Sequence, residues 1–192
     1  MQVELNRPRT GPGDQGNVAA ADRLARIAAC SFARHELTTV AWEHKKAASD
    51  LLAAQIAACT DNRSRAALME QHIITGGIPA WRRPVDELAY HRLKQVLPPT
   101  RKGLGDIEGY LRGSMRRLYR QRNLILHAGQ TNAVAVNATL RTVTPIVAAG
   151  LDRIVAASGE RRISALQFAA STKLAMDRYQ SGAATSLVDL LS

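Results

Sequence analysis

The sequence has few cysteines, few aromatic residues and no long hydrophobic run. Cys30 and Cys59 are the two cysteines, and neither has a C-x-x-C partner or a nearby histidine, so a disulfide framework or a cysteine-based metal site is not indicated. We predict two buried, reduced thiols in a cytoplasmic protein. No apolar run approaches the roughly 18 residues of a membrane span, and no signal peptide is recognisable. We therefore expect no membrane partner.

The scarcity of aromatic residues also bears on the fold. Aromatic residues make up 4% of the chain, hydrophobic residues make up 46%, and alanine is abundant. This composition favours a core of Leu, Ile, Val and Ala on closely packed helices and argues against a sheet protein. We predict an all-α bundle of about six to seven helices. Residues 17–192 would form a single domain, and residues 1–16, which mix Pro, Gly and charge without periodicity, a flexible leader or linker.

The charge balance concerns partners rather than the fold. The formal net charge is +10 and the pI is about 10.4. Such a balance indicates a polyanionic partner such as nucleic acid. A solvated basic surface without a partner is the alternative, and composition does not decide between the two.

Apolar periodicity and helix-end signals place the helices. We expect a break or kink in the first helix near Thr38 and Thr39, because one helix from Asn17 to Cys59 would be about 65 Å long. Pro145 should kink or divide a helix that begins near Asn132. The other predicted helices run over Asn62–Thr75, Pro84–Val96, Asp106–Ala128 with Asp106 as its N-cap, and Ile163–Tyr179.

One arginine of the Asp106–Ala128 helix lies where an apolar residue is expected. Arg122 falls within the helical stripe formed by Ile107, Leu111, Met115, Leu118 and Ile125. A guanidinium stays protonated, and its removal from water costs several kcal/mol unless anions and hydrogen bonds compensate. Arg122 should therefore face a cleft, a partner chain or an anion. His44, on the apolar face of an earlier helix, is more simply a hydrogen-bonded core residue than a catalytic one.

The segment that follows carries a family resemblance. Arg122, Asn123 and His127 form an R-N-x-x-x-H pattern that resembles the signature of the HEPN superfamily, a set of small all-α domains that includes many metal-independent ribonucleases and toxins. The Leu118–Arg120 lead-in and the His-Ala-Gly exit also fit, and the resemblance covers about residues 106–157. It implies a HEPN-like four-helix core with catalytic Arg122, Asn123 and His127, and neither a metal nor a cofactor.

The resemblance also implies partners. We expect RNA to bind along the basic lead-in formed by Arg112, Arg116, Arg117, Tyr119 and Arg120, although an exposed face is the simpler explanation for such charges. On a straight helix, five residues rotate about 140° and rise about 7.5 Å. Arg122 and His127 therefore require either a deformed helix end or a site completed across two chains. The family favours a homodimer.

Two functions remain open from the sequence. The first is a metal-independent endoribonuclease, as in a toxin or an anti-phage defence effector, with an antitoxin or regulatory protein as a further partner. The second is a catalytically inactive HEPN-like module for dimerisation or for binding nucleic acid or nucleotide. In that case Arg122 would hold a structural carboxylate, and His127 would cap the helix end.

Overall fold

The computed structural model describes residues 12–128, 134–184 and 186–191, without the side chains of residues 12–15, 121–128, 134–140, 142, 143 and 146. Within these ranges the chain is all-α, as predicted, and contains no strand. The helices are α1 (Pro12–Ala47), α2 (Leu51–Ala58), α3 (Asn62–Ile74), α4 (Pro84–Val96), α5 (Gly103–Ala128), α6 (Val134–Arg161) and α7 (Ala165–Gln180), followed by a 3-10 helix (Val188–Leu191).

Helix α1 is the element around which the others pack. It contacts each of α2 to α7 and the 3-10 helix. Its 36 residues correspond to about 54 Å of helix. It begins at Pro12, so residues 12–16 of the predicted leader are helical, whereas residues 1–11 lie outside the described part of the chain.

The predicted break near Thr38 and Thr39 is wrong, because α1 continues to Ala47. Thr38 donates its hydroxyl hydrogen bond to the Arg34 carbonyl at 3.0 Å, one turn back on the same helix. Leu37 and Ala41 on this stretch are fully buried by the surrounding helices. Because tertiary packing stabilises the helix here, the modest helix propensity of threonine does not end it.

The chain turns away from α1 at residues 48–50 instead. The Asp50 carboxylate accepts a hydrogen bond from the Ala53 N–H at 2.8 Å and thereby caps the start of α2. This hydrogen bond lowers the pKa of Asp50. A Ser-Asp pair ahead of an apolar run was the sequence signal for this boundary.

Most other helix ends agree with the sequence. The Asp61 side chain caps α3 through the Ser64 N–H at 2.9 Å, and Ser164 forms a capping box with Gln167 at the start of α7. Helix α5 is the exception, because it begins at Gly103 and places Asp106 in its first turn rather than at the N-cap. A Cβ at Gly103 would lie 3.0 Å from the Gln95 backbone, so glycine allows this early start against α4.

Helix α6 is a single helix with Pro145 inside it, so the proline does not divide it. Small residues bring α6 close to α1. A Cβ added at Gly150 would lie 3.3 Å from the Ala28 Cβ, and both residues are buried. Alanine and glycine thus replace large side chains at this crossing.

The two cysteines differ in their surroundings. Cys30 is buried in the core, and burial raises the pKa of its thiol to about 12. Cys59 is partly exposed after the end of α2, so the prediction of burial is wrong for this residue. Both thiols are free. None of the described helices is long and apolar enough to cross a membrane.

Candidate functional site

Helix α5 packs mainly against α1 through the apolar stripe predicted from the sequence. Leu111 and Met115 are buried, and Ile107 and Leu118 are partly buried. Arg122 follows Met115 by seven residues, which on an α-helix returns to nearly the same face. The backbone therefore places position 122 in line with this stripe.

The three predicted catalytic residues, Arg122, Asn123 and His127, lie on the last two turns of α5. The backbone is α-helical from Gly103 through Ala128. The helical path between Arg122 and His127 thus rotates by about 140° and rises by about 7.5 Å. Their side chains lie outside the described part of the structure, and so do residues 129–133, so their catalytic roles stay predictions.

Two of the predicted RNA-binding arginines are neutralised within the chain. Arg116 forms a two-pronged ion pair with Asp22 on α1, with Nε–Oδ1 and Nη2–Oδ2 distances of 3.0 and 2.6 Å. The hydrogen bond to Asp22 raises the pKa of Arg116. Arg112 donates to the Glu108 carboxylate at 2.5 Å and lies 3.9 Å from Asp22.

Glu108 is the acidic centre of this arrangement. Its side chain is only 8% exposed, and it forms an ion pair with Arg26 on α1 at 3.0 Å as well as accepting a hydrogen bond from Arg112 on its own helix. Because two guanidiniums share one buried carboxylate, the three residues tie α5 to α1. We call Asp22, Arg26, Glu108, Arg112 and Arg116 the α1–α5 ion-pair network.

The remaining residues of the basic lead-in are Arg117, Tyr119 and Arg120. Arg117 is exposed and donates to the Ser114 hydroxyl at 2.8 Å. Arg120 is exposed and forms no ion pair with any residue that the structure describes. The Tyr119 hydroxyl accepts a hydrogen bond from the Asn17 side chain at 3.2 Å. Free positive charge on the described part of α5 therefore lies in its later turns, next to Arg122.

His44 has the structural role that its position on an apolar face suggests. The buried ring accepts a hydrogen bond from the Ala80 N–H at Nδ1, 2.9 Å away, and its Nε2 lies 3.1 Å from the Asp50 carboxylate. These contacts place the proton of the neutral ring on Nε2. Both nitrogens are used, so His44 joins α1 to the start of α2 and to the loop before α4.

A second basic site, which was not predicted from the sequence, lies between other helices. A cleft of about 330 Å³ is lined by residues of α1, α3, α6, α7 and the 3-10 helix, which include Arg34, Arg63, Arg153, Arg161, Glu160 and Phe168. We call it the arginine cleft. A neighbouring hollow of about 300 Å³ shares Arg34 and Arg153 with it.

A sequence signal for Arg34 was available. Arg34 falls between Cys30 and Leu37 in the buried stripe of α1, which continues to Ala41 at steps of three and four. This is the same pattern that singled out Arg122. In contrast, Arg63, Arg153 and Arg161 come from separate segments, and only the fold brings them together.

Comparison with known proteins adds no assignment. The chain gives no significant match to any protein-family model, any curated protein or any solved structure. Within the described residues, no three His, Cys, Asp or Glu side chains are grouped so that they could hold a metal ion. Function must therefore be argued from the sites themselves.

Proposed function

We propose that the protein is a metal-independent endoribonuclease of the HEPN type that acts as a homodimer. The observation that carries the proposal is the position of Arg122, Asn123 and His127 on the last two turns of a long helix, directly after the exposed Arg117 and Arg120. A phosphate backbone that follows these cations along α5 would reach the motif. The biological role would be that of a toxin or an anti-phage defence effector.

The regular helix supports a composite site rather than a site within one chain. Because α5 stays helical through Ala128, about 140° of rotation separates positions 122 and 127. One chain then has difficulty presenting both groups to a single phosphate. Two copies related by a two-fold axis would line one groove with both motifs. Position 122, in line with the apolar stripe of α5, would lie at such a contact.

The chemistry follows from the side-chain types. His127 of one subunit would take the proton from a ribose 2′-hydroxyl, whose oxygen then attacks the adjacent phosphorus. The bond from phosphorus to the 5′-oxygen breaks, and the partner subunit's His127 would protonate the departing oxygen. Arg122 would hold two phosphoryl oxygens as charge builds up on them. The products are a 2′,3′-cyclic phosphate and a 5′-hydroxyl end.

Asn123 and the basic lead-in would assist this reaction. The Asn123 amide would orient His127 or a phosphate oxygen. Arg117 and Arg120 would bind RNA phosphates, whereas Arg112 and Arg116 already neutralise Glu108 and Asp22. We therefore propose that Arg117 and Arg120 bind RNA, and that Arg112 and Arg116 hold α5 against α1.

That same ion-pair network favours a second candidate, a catalytically inactive module for dimerisation or for binding nucleic acid or nucleotide. Here Arg122 would hold a carboxylate, as Arg112 and Arg116 do, and His127 would cap the helix end. RNA binding without cleavage would then be the expected behaviour.

Cleavage of mixed RNA in excess chelator separates the two candidates. We expect the wild type to cut, and Arg122→Ala and His127→Ala to lose at least about 100-fold in rate, the lower range for a missing acid–base group. His91→Ala and Arg178→Ala are the matched controls, because both residues are exposed on other helices, and they should cut normally. Equal rates for all five proteins would exclude catalysis by this motif.

The dimer is tested independently. Size-exclusion chromatography with light scattering at micromolar concentration should give twice the mass of the 20.8 kDa chain. A strict monomer that still cleaves RNA would exclude the composite site and require one chain to supply both groups. Mixing Arg122→Ala with His127→Ala should leave the rate low, because each mixed dimer retains a single His127 and the proposed reaction uses one from each subunit.

A further inference from the structure

The arginine cleft holds cations that lack counterions in the folded chain. Arg34 on α1 and Arg153 on α6 form no side-chain hydrogen bond and no ion pair with the residues that the structure describes. Arg63 is paired with Asp189. The Arg161 guanidinium lies 5.6 Å from the centre of the Phe168 ring and donates to the Leu191 carbonyl at 3.4 Å. Arg34 and Arg153 are thus the unneutralised pair.

The electrostatics of Arg34 agree with this geometry. Partial burial lowers the pKa of Arg34, and the charges of Arg153 and Arg63 lower it further, against a smaller opposite effect of Asp61 and Asp189. A partly buried guanidinium beside like charges costs free energy. An anion bound between Arg34 and Arg153 would recover that cost.

The walls of the cleft restrict the kind of anion. Four arginines face a single lining carboxylate, that of Glu160. Arginine forks match the oxygens of phosphate better than those of a monoatomic ion. The cleft also has apolar lining residues, Ala156, Ala157, Phe168 and Leu191, and its volume of about 330 Å³ lies in the range of small-molecule sites.

We propose that the arginine cleft binds a small organic phosphate ester, with the phosphate between Arg34 and Arg153 and the apolar part of the ligand towards Phe168. Arg161, held by the Leu191 carbonyl and the Phe168 ring, lines the same cleft as a fixed cation. The site is built from α1, α3, α6, α7 and the 3-10 helix. It is separate from the motif on α5 and does not depend on the proposed nuclease activity.

Calorimetric titration at constant ionic strength tests the site with two probes, inorganic phosphate and phenyl phosphate. We expect saturable one-to-one binding of phenyl phosphate to the wild type, at least fivefold tighter than that of inorganic phosphate. Arg34→Gln and Arg153→Gln should each weaken phenyl phosphate binding at least tenfold. Arg178→Gln, which removes the same charge from an exposed position on α7, should change it less than twofold.

Several results would overturn the proposal. These are no saturable binding, equal affinity for the two probes, or equal weakening by Arg178→Gln. An RNA oligonucleotide with a 5′-hydroxyl end, bound through Arg34 and Arg153 while phenyl phosphate does not bind, would assign the cleft to RNA instead. Thermal unfolding of each variant identifies a loss of binding caused by misfolding. His127→Ala should bind phenyl phosphate normally, so failure of the nuclease proposal leaves this test unaffected.

Discussion

The α1–α5 ion-pair network and the arginine cleft are both built on arginine. In the network the guanidiniums are paired with carboxylates, whereas in the cleft two of them are not, within the part of the chain that the structure describes. In the network, Arg112 and Arg116 each face a carboxylate, and Asp22 and Glu108 bring α1 and α5 together. In the cleft, Arg34 and Arg153 face other arginines. Arginine therefore stabilises the fold in the network, whereas in the cleft it costs free energy. Net charge alone does not distinguish the two situations.

The largest expected difference concerns the carboxylates. Glu108→Gln would leave Arg26 and Arg112 without their shared counterion and should lower the free energy of unfolding by about 3 kcal/mol. Glu160→Gln, in the exposed rim of the arginine cleft, should change it by less than about 0.5 kcal/mol. Urea unfolding of both variants measures the comparison. Similar values for the two would mean that the network does not depend on Glu108.

Substitution of an arginine should change the free energy of unfolding in opposite directions at the two places. Arg116→Met breaks an exposed ion pair with Asp22 and should destabilise the chain by about 0.5 kcal/mol. Arg34→Met removes a partly buried cation from among like charges while keeping a flexible apolar stem, and should stabilise the chain by about 0.5 to 1 kcal/mol. Both changes are read from urea unfolding in phosphate-free buffer. Destabilisation by Arg34→Met would show that Arg34 has a structural role after all.

The smallest expected effect is the dependence of these two stability changes on salt concentration. Raising the chloride concentration from about 0.1 M to 1 M shortens the Debye length from about 10 Å to 3 Å. The stabilisation by Arg34→Met and the destabilisation by Arg116→Met should both shrink towards zero. Unfolding at the two salt concentrations, with Arg178→Met as the control, measures this change. An effect of Arg34→Met that stays constant with salt would indicate packing rather than charge.

Local signals predicted most of the fold correctly. Helices α3 and α4 lie within one residue of their predicted ranges, because Asp61 caps one and Pro84 starts the other. The break near Thr38 was wrong because helix length indicated that a break was needed but not where, and the packing of α1 against the other helices continues it to Ala47. The start of α5 was misplaced for a related reason, since Gly103 is fitted to the backbone of α4.

The candidate sites were predictable to different degrees. The placement of Arg122 in line with an apolar stripe was derived from periodicity, and the described half of α5 has the expected buried face. The same pattern at Arg34 was equally visible and was overlooked. The neutralisation of Arg116 was not predictable, because Asp22 precedes it by 94 residues, whereas Glu108 lies four residues before Arg112, a spacing that pairs charges on one helix.

The sequence by itself determined that this chain is helical and where most helices begin and end, because caps, prolines and apolar periodicity act over a few residues. It also determined the total positive charge. Only the tertiary structure decided which charges of different helices lie together, because a guanidinium and its carboxylate, or a guanidinium and another guanidinium, become neighbours when distant helices pack on α1. Electrostatic free energy depends on those distances and on burial, and neither quantity is local in the chain.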